Sequence, residues 1–195
     1  MDEDEVWRAI DAQRLGLVRL LHELTDEQWR TPSLCAGWTV RDVAAHLTFA
    51  QSTLPQLLGE FIRHPGPLNR SGRDSAIRRA RQPTGQLIAR IEAMVGSRRH
   101  ITVVTPKETL VDILVHSQDI AIPLGRPFEL DRDAAAFAAT RAYEMGWPFW
   151  AKRRFRRYTL TATDADWSAG SGPEQLKAPI GTLLLAVTGR NIPSP

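Results

Sequence analysis

The stretch "ETLVDILVHSQDI" (residues 108–120) decides how this chain is read. Its apolar residues are dense enough for a buried helix, yet Asp112 and His116 stand four residues apart within it and Asp119 follows. On a helix, positions i and i+4 lie ~40° apart around the axis and ~6 Å along it. Both side chains therefore point the same way and can share one ion. Thr105 ahead of Pro106, with Glu108 three residues on, supplies a capping box and fixes where the helix begins. From spacing alone, a hydrogen-bonded core pair and half of a metal site both remain open, and the core pair is the commoner outcome.

Working outward, "TVRDVAAHLTFAQSTLPQLLGEFIRH" opens a second long helix at Thr39, with Asp42 completing the box and Pro55 as a kink. "PGPLN" closes it. His46 sits on its amphipathic part among Val43, Ala45 and Leu47. Two imidazoles and a carboxylate form a three-ligand set that leaves positions for water or substrate, as catalytic divalent sites do. Zn²⁺ suits these ligands; Ni²⁺, Mn²⁺ and Fe²⁺ are not distinguished by ligand type alone. His22 falls in the first helix, and His64 and His100 fall in loops.

That first helix carries Val6, Trp7, Ile10, Leu17, Leu21 and Leu24 near one stripe. Thr25 and Gln28 then make a short capped turn. "SAIRRARQ" and "TGQLIARIEAMVG" form a third helical region interrupted at Pro83, and "DRDAAAFAATRAYEMG" a fifth helix after the 105–120 one. Beyond Gly146 the alternation of "RRYTLTATDADWSAGSG" predicts a strand or hairpin. "PIGTLLLAVTGR" predicts a short buried helix stopped by Gly189. The expected fold is mainly α: four helices with a small C-terminal appendage.

The chain is 195 residues long, suiting one domain with an appendage, and 24% of it is charged. Its net charge is only +3, although basic clusters occur at 70–82, 96–100 and 151–158. No motif that reads DNA or RNA accompanies them, so they read as solvated faces rather than a nucleic-acid surface. The longest apolar run is too short to span a bilayer, and the N-terminus is acidic where a secretory signal is basic. A single cysteine, Cys35, excludes an internal disulfide. A cytoplasmic protein is expected, without membrane association, as a monomer or a homodimer. Cys35 has no His or basic neighbour in sequence and reads as a small buried residue rather than a nucleophile.

"LTDEQWRTPSLCAGWTVRDVAAHL" (24–47) together with "TLVDILVHSQDIAIPLGRP" (109–127) resembles the DinB-like superfamily, and within it the mycothiol-dependent maleylpyruvate isomerase family. The resemblance implies an up-down-down-up four-helix bundle over residues 1–128. It implies a fifth helix and a shortened isomerase-type C-terminal α/β subdomain over 129–195. It also implies a divalent metal, Zn²⁺ first, held by His46, Asp112 and His116. Mycothiol would be the co-substrate, bound as thiolate and attacking an electrophilic small molecule in a transferase or isomerase reaction. The isomerases carry Glu where this chain has Asp112, one methylene shorter, so the carboxylate must bind from closer in or through water. Asp119 matches the family Asp and is expected to be structural or to orient an imidazole; Trp38 and Asp42 read as a packing and a capping residue. Arg190 matches the catalytic arginine of the C-terminal domain, although Gly-Arg after a helix is also ordinary capping chemistry. The alternative is a non-catalytic binding protein, for a small molecule or a metal, on the same bundle.

Overall fold

The computed structural model describes residues 1–63, 68–101 and 104–191. Helix α1 (Glu3–His22) starts at Asp2, which exchanges capping hydrogen bonds with Glu5, and it buries Val6, Trp7, Ile10, Leu17 and Leu21. Thr25 and Gln28 form the expected box, their amides bonding each other's side chains at 3.0 and 3.3 Å. Helix α2 (Val40–Leu47) begins at Thr39 with Asp42 in reciprocal capping bonds.

The predicted long second helix is two. α2 stops at Leu47, and α3 (Leu54–Arg63) restarts after the turns of 48–53. Pro55 lies in the first turn of α3, where its missing N–H is not needed, and so it is not a kink. "PGPLN" and His64 fall mostly or wholly outside the described residues. α4 (Leu68–Arg79) and α5 (Thr84–Glu92) are the two halves of the third region, with Pro83 preceding α5.

Helix α6 (Pro106–Ala121) is the axis of the molecule. Thr105 caps it with Glu108. It packs on α1 and α2, which in turn pack on α5, so that α1, α5, α2 and α6 close a four-helix ring. Leu110 and Leu114 of α6 are fully buried inside it. Truncating either to Ala would cost about 2–5 kcal/mol. Arg14 is drawn into the same interior, Nη1 donating to the Met94 carbonyl at 2.8 Å and so closing the end of α5.

Helix α7 (Arg132–Glu144) lines an Ala-rich face against α6 on one side and α9 (Ile180–Val187) on the other. Between them come the short α8 (Ala151–Arg154) and a three-stranded sheet. Strand β1 (Tyr158–Ala162) pairs antiparallel with β2 (Ser168–Ala169), the expected hairpin, and parallel with β3 (Glu174–Ala178), in the order β2-β1-β3. Buried Leu160 is opposite Ala169 on one side and Leu176 on the other. Asp164 Oδ1, in the hairpin loop, accepts from the Ile180 amide at 2.7 Å and caps α9, whose preceding Pro179 has no side-chain acceptor. No helix among the described residues is long and apolar enough to cross a membrane.

Candidate metal centre

The Thr39 cap aims α2 so that His46 leans toward α6, where Asp112 and His116 occupy adjacent turns. Asp112 Oδ1 is 3.4 Å from His46 Nε2 and 3.4 Å from His116 Nε2. These separations are long for charge-assisted hydrogen bonds, whose N–O distances centre near ~2.8 Å. They match the ~3.3 Å edge of a tetrahedron whose centre lies ~2.05 Å from each ligand atom. The three donor atoms all fall within 4.8 Å of one another. The side chains are 31%, 35% and 12% exposed for His46, Asp112 and His116, so the trio has an open side. Trp38 packs against both imidazoles, with ring centroids 5.3 Å from His46 and 6.5 Å from His116.

Behind the trio, Asp119 is fully buried and organises three neighbours through four hydrogen bonds. Its Oδ2 accepts from His116 Nδ1 at 2.8 Å, from Arg190 Nη2 at 2.5 Å and from Cys35 Sγ at 3.1 Å. Its Oδ1 accepts from Arg190 Nε at 3.0 Å. Holding the proton on His116 Nδ1 leaves Nε2 with its lone pair toward the open side, which is the arrangement metal-binding histidines use. The donor set, its spacing and this outer carboxylate therefore fit a divalent ion.

Burial alone would raise the pKa of Asp112 and Asp119, but their neighbours outweigh it. The His116 and His46 rings push Asp112 far below the carboxylate range. His116 and Arg190 bring Asp119 to about 2. His116 shows the opposite competition: burial would lower its pKa, and the Asp112 and Asp119 carboxylates raise it well above the imidazole range. Without an ion, a proton is the trio's own counter-charge.

Arg190 arrives through a backbone motif. After α9, Gly189 takes φ 95°, a left-handed conformation open to glycine, and donates to the Ala186 carbonyl at 3.0 Å. The Arg190 amide donates to Leu185 O at 2.9 Å, completing a Schellman cap. That cap throws the guanidinium back onto Asp119, and its Nη1 donates to Thr188 O at 3.0 Å. The capping chemistry and the site thus use the same Gly-Arg pair.

A cleft of about 790 Å³ opens over the imidazoles, bordered by Ser33, Leu34, Cys35, Ala36, Trp38, His46, Gly72, Arg73, His116, Gly189, Arg190 and Asn191. Cys35 departs from its expected role. Its thiol is half-buried, joins the Asp119 network and lies 3.8 Å from His116 Nδ1 and 3.5 Å from Arg190 Nη2. Cys35, His116 and Asp119 also cluster as potential ligands, but the Arg190 guanidinium already supplies positive charge there. The sequence offers no local sign of these contacts, since Cys35 and Asp119 are 84 residues apart. His22 ends α1, and His100 packs beside Trp7 with ring centroids 6.0 Å apart; neither joins a cluster of potential ligands among the described residues.

Comparison with known proteins identifies the fold and the family. Two solved structures cover 98% of this chain and 90% of their own: a histidine-to-alanine variant of the mycothiol-dependent maleylpyruvate isomerase (TM-score 0.68, 12% identity) and the mycothiol-dependent maleylpyruvate isomerase itself (TM-score 0.59, 11% identity). At such identity they establish the shared fold. No curated protein matches the chain. The family described as "Mycothiol maleylpyruvate isomerase N-terminal domain" matches residues 10–121, from the first helix through the end of α6. That match spans more than half of the sequence, and the chain belongs to this family.

Proposed function

We propose that the protein is a divalent-metal-dependent transferase or isomerase that uses a low-molecular-weight thiol of the mycothiol type against an electrophilic small molecule. The observation that carries this reading is the convergence of His46, Asp112 and His116, two of them 66 residues apart, at a tetrahedral spacing, with both imidazoles bordering an open cleft. A bound Zn²⁺, or another divalent ion, would supply Lewis acidity that lets a thiol ionise near neutral pH. Residues 1–128 hold the ligands in this reading, and 129–195 deliver Arg190.

The chain's own residues do the rest. Asp119 holds His116 in the tautomer that frees Nε2, and Trp38 restrains both rings. The thiolate sulfur adds to the β-carbon of an unsaturated carbonyl, and the C=C electron pair moves to the carbonyl oxygen. Rotation and expulsion of the same thiolate return the isomer; protonation at the α-carbon instead gives the thiol conjugate. Arg190 acts here as a positioning residue through Asp119, rather than as the catalytic arginine that its match to the family implies, because its Nε and Nη2 are bonded to that carboxylate.

The same pairing supports a second reading, a non-catalytic binding protein, since it removes the arginine expected to meet substrate. Zinc-loaded protein incubated with mycothiol and a panel of unsaturated carbonyl compounds separates the two. Thiol-dependent consumption that His116→Ala abolishes supports the enzyme; saturable ligand binding with no consumption supports the binding protein.

A further inference from the structure

The ligand trio has two flanks along α6, and they differ in chemistry. Toward the C-terminal end lies the cleft described above, of mixed lining, with Arg73, Arg190 and Asn191 beside Leu34, Ala36 and Trp38. Toward the N-terminal end, a second cleft of about 440 Å³ opens beside the segment that follows α7. Asp112 is part of its wall, so the carboxylate facing both imidazoles also borders this space. Most of the remaining wall is apolar: Val104, Val111, Met145, Trp147, Pro148 and Phe149.

Its other charged groups cancel on the wall itself. Arg141 Nε donates to Glu108 Oε1 at 2.5 Å, and a second nitrogen of the same guanidinium pairs with that oxygen. A dianionic ligand would therefore meet the Asp112 carboxylate and no unpaired cation among the lining residues. Trp147 stays 58% exposed on a defined turn, in which the Trp150 amide donates to Gly146 O at 2.7 Å. Trp150 itself takes φ 50°, a left-handed backbone conformation uncommon for a non-glycine residue. A volume of this size lies within the range of small-molecule pockets, ~300–1,000 Å³, which are mostly apolar with a few placed polar groups.

We propose that this second cleft is the electrophile subsite and that it takes an uncharged molecule with an aromatic or similarly apolar body, its reactive end toward Asp112. The larger cleft of mixed lining on the opposite flank is then left to the thiol. This inference rests on the functional reading above, and its test needs no turnover.

The probe is benzylacetone, an unreactive uncharged aryl ketone, titrated by calorimetry and tryptophan fluorescence into the purified full-length protein without thiol, with maleate as competitor. Saturable binding is expected, weakened about tenfold or more by Trp147→Ala and by Met145→Glu and not displaced by maleate. Trp147 is exposed, so its truncation leaves the core intact, and unchanged thermal unfolding checks this. No saturable binding to the wild-type chain, equal binding by both variants, or displacement by maleate would overturn the subsite. Retained benzylacetone binding with no thiol-dependent turnover sinks the functional reading while the cleft assignment stands; turnover without such binding does the reverse.

Discussion

Helix α6 carries a carboxylate–arginine pair at each end, and the contrast between them explains how the site is held. Near its start, Glu108 pairs with Arg141 of α7 where the side chains are 17% and 37% exposed. Near its end, Asp119 pairs with Arg190 at 0% and 14%. The first pair is wetted by solvent and joins two helices that already pack. The second is dry, and it ties the turn that follows α9 to the carboxylate that orients His116. Identical chemistry therefore does different work, set by burial: one pair is a fastening, the other a constraint on the candidate ligand.

The contrast breaks most visibly at Asp119. Asp119→Asn leaves the Arg190 charge buried without its counter-ion, so we expect a loss of about 3–5 kcal/mol in chemical denaturation. Metal affinity should fall about 10–100-fold as well, because His116 loses the group that fixes its tautomer. Unchanged stability would mean that the dry pair is as weak as the wet one.

The pH dependence of the same group comes next in size. Asp119 is depressed from 3.8 to about 2, so its contribution is fully present above the unfolded value and is lost as pH falls through that window. The contribution is about 2 kcal/mol by linkage. Urea midpoints between about pH 5 and 2 should drop more steeply for wild type than for Asp119→Asn; parallel curves would contradict the assignment.

Asp112→Glu adds the methylene that this chain lacks. The Oδ1 already stands 3.4 Å from both Nε2 atoms, so a longer arm should overshoot and weaken metal binding about tenfold, read by competition with a chelating dye. Tighter binding would show that the short carboxylate binds through water. The smallest effect belongs to Glu108→Gln, which keeps the capping box and loses the partly exposed ion pair, for about 0.5–1 kcal/mol of thermal stability.

Much of this was legible because the signals are local. The boxes at Thr39 and Thr105 fix two helix starts by chemistry three residues deep, and the structure contains both. Pro55 misled because proline suits a first helical turn as well as a kink, and only the break at 48–53 separates the two. Strand β3, "EQLKA", has no β-branched residue; its pairing with β1 holds it in place. At the site, spacing yields Asp112 with His116 and the amphipathic pattern offers His46 as a third candidate, whereas choosing the metal set over a core pair required the family pattern. The Asp119–Arg190 and Asp119–Cys35 contacts span 71 and 84 residues; the first exists because the tail folds back under its Schellman cap, the second because the loop before α2 docks there, the Leu34 amide donating to Asp119 O. No periodicity carries that information.

The central claim is that His46, Asp112 and His116 share one divalent ion. Metal analysis by mass spectrometry of purified wild type beside His46→Ala and His116→Ala tests it most directly, at neutral pH after dialysis against trace metal. The account predicts near one zinc or other divalent ion per wild-type chain and background levels in both variants, with all three folded by circular dichroism. Equal trace metal in wild type and variants would contradict it.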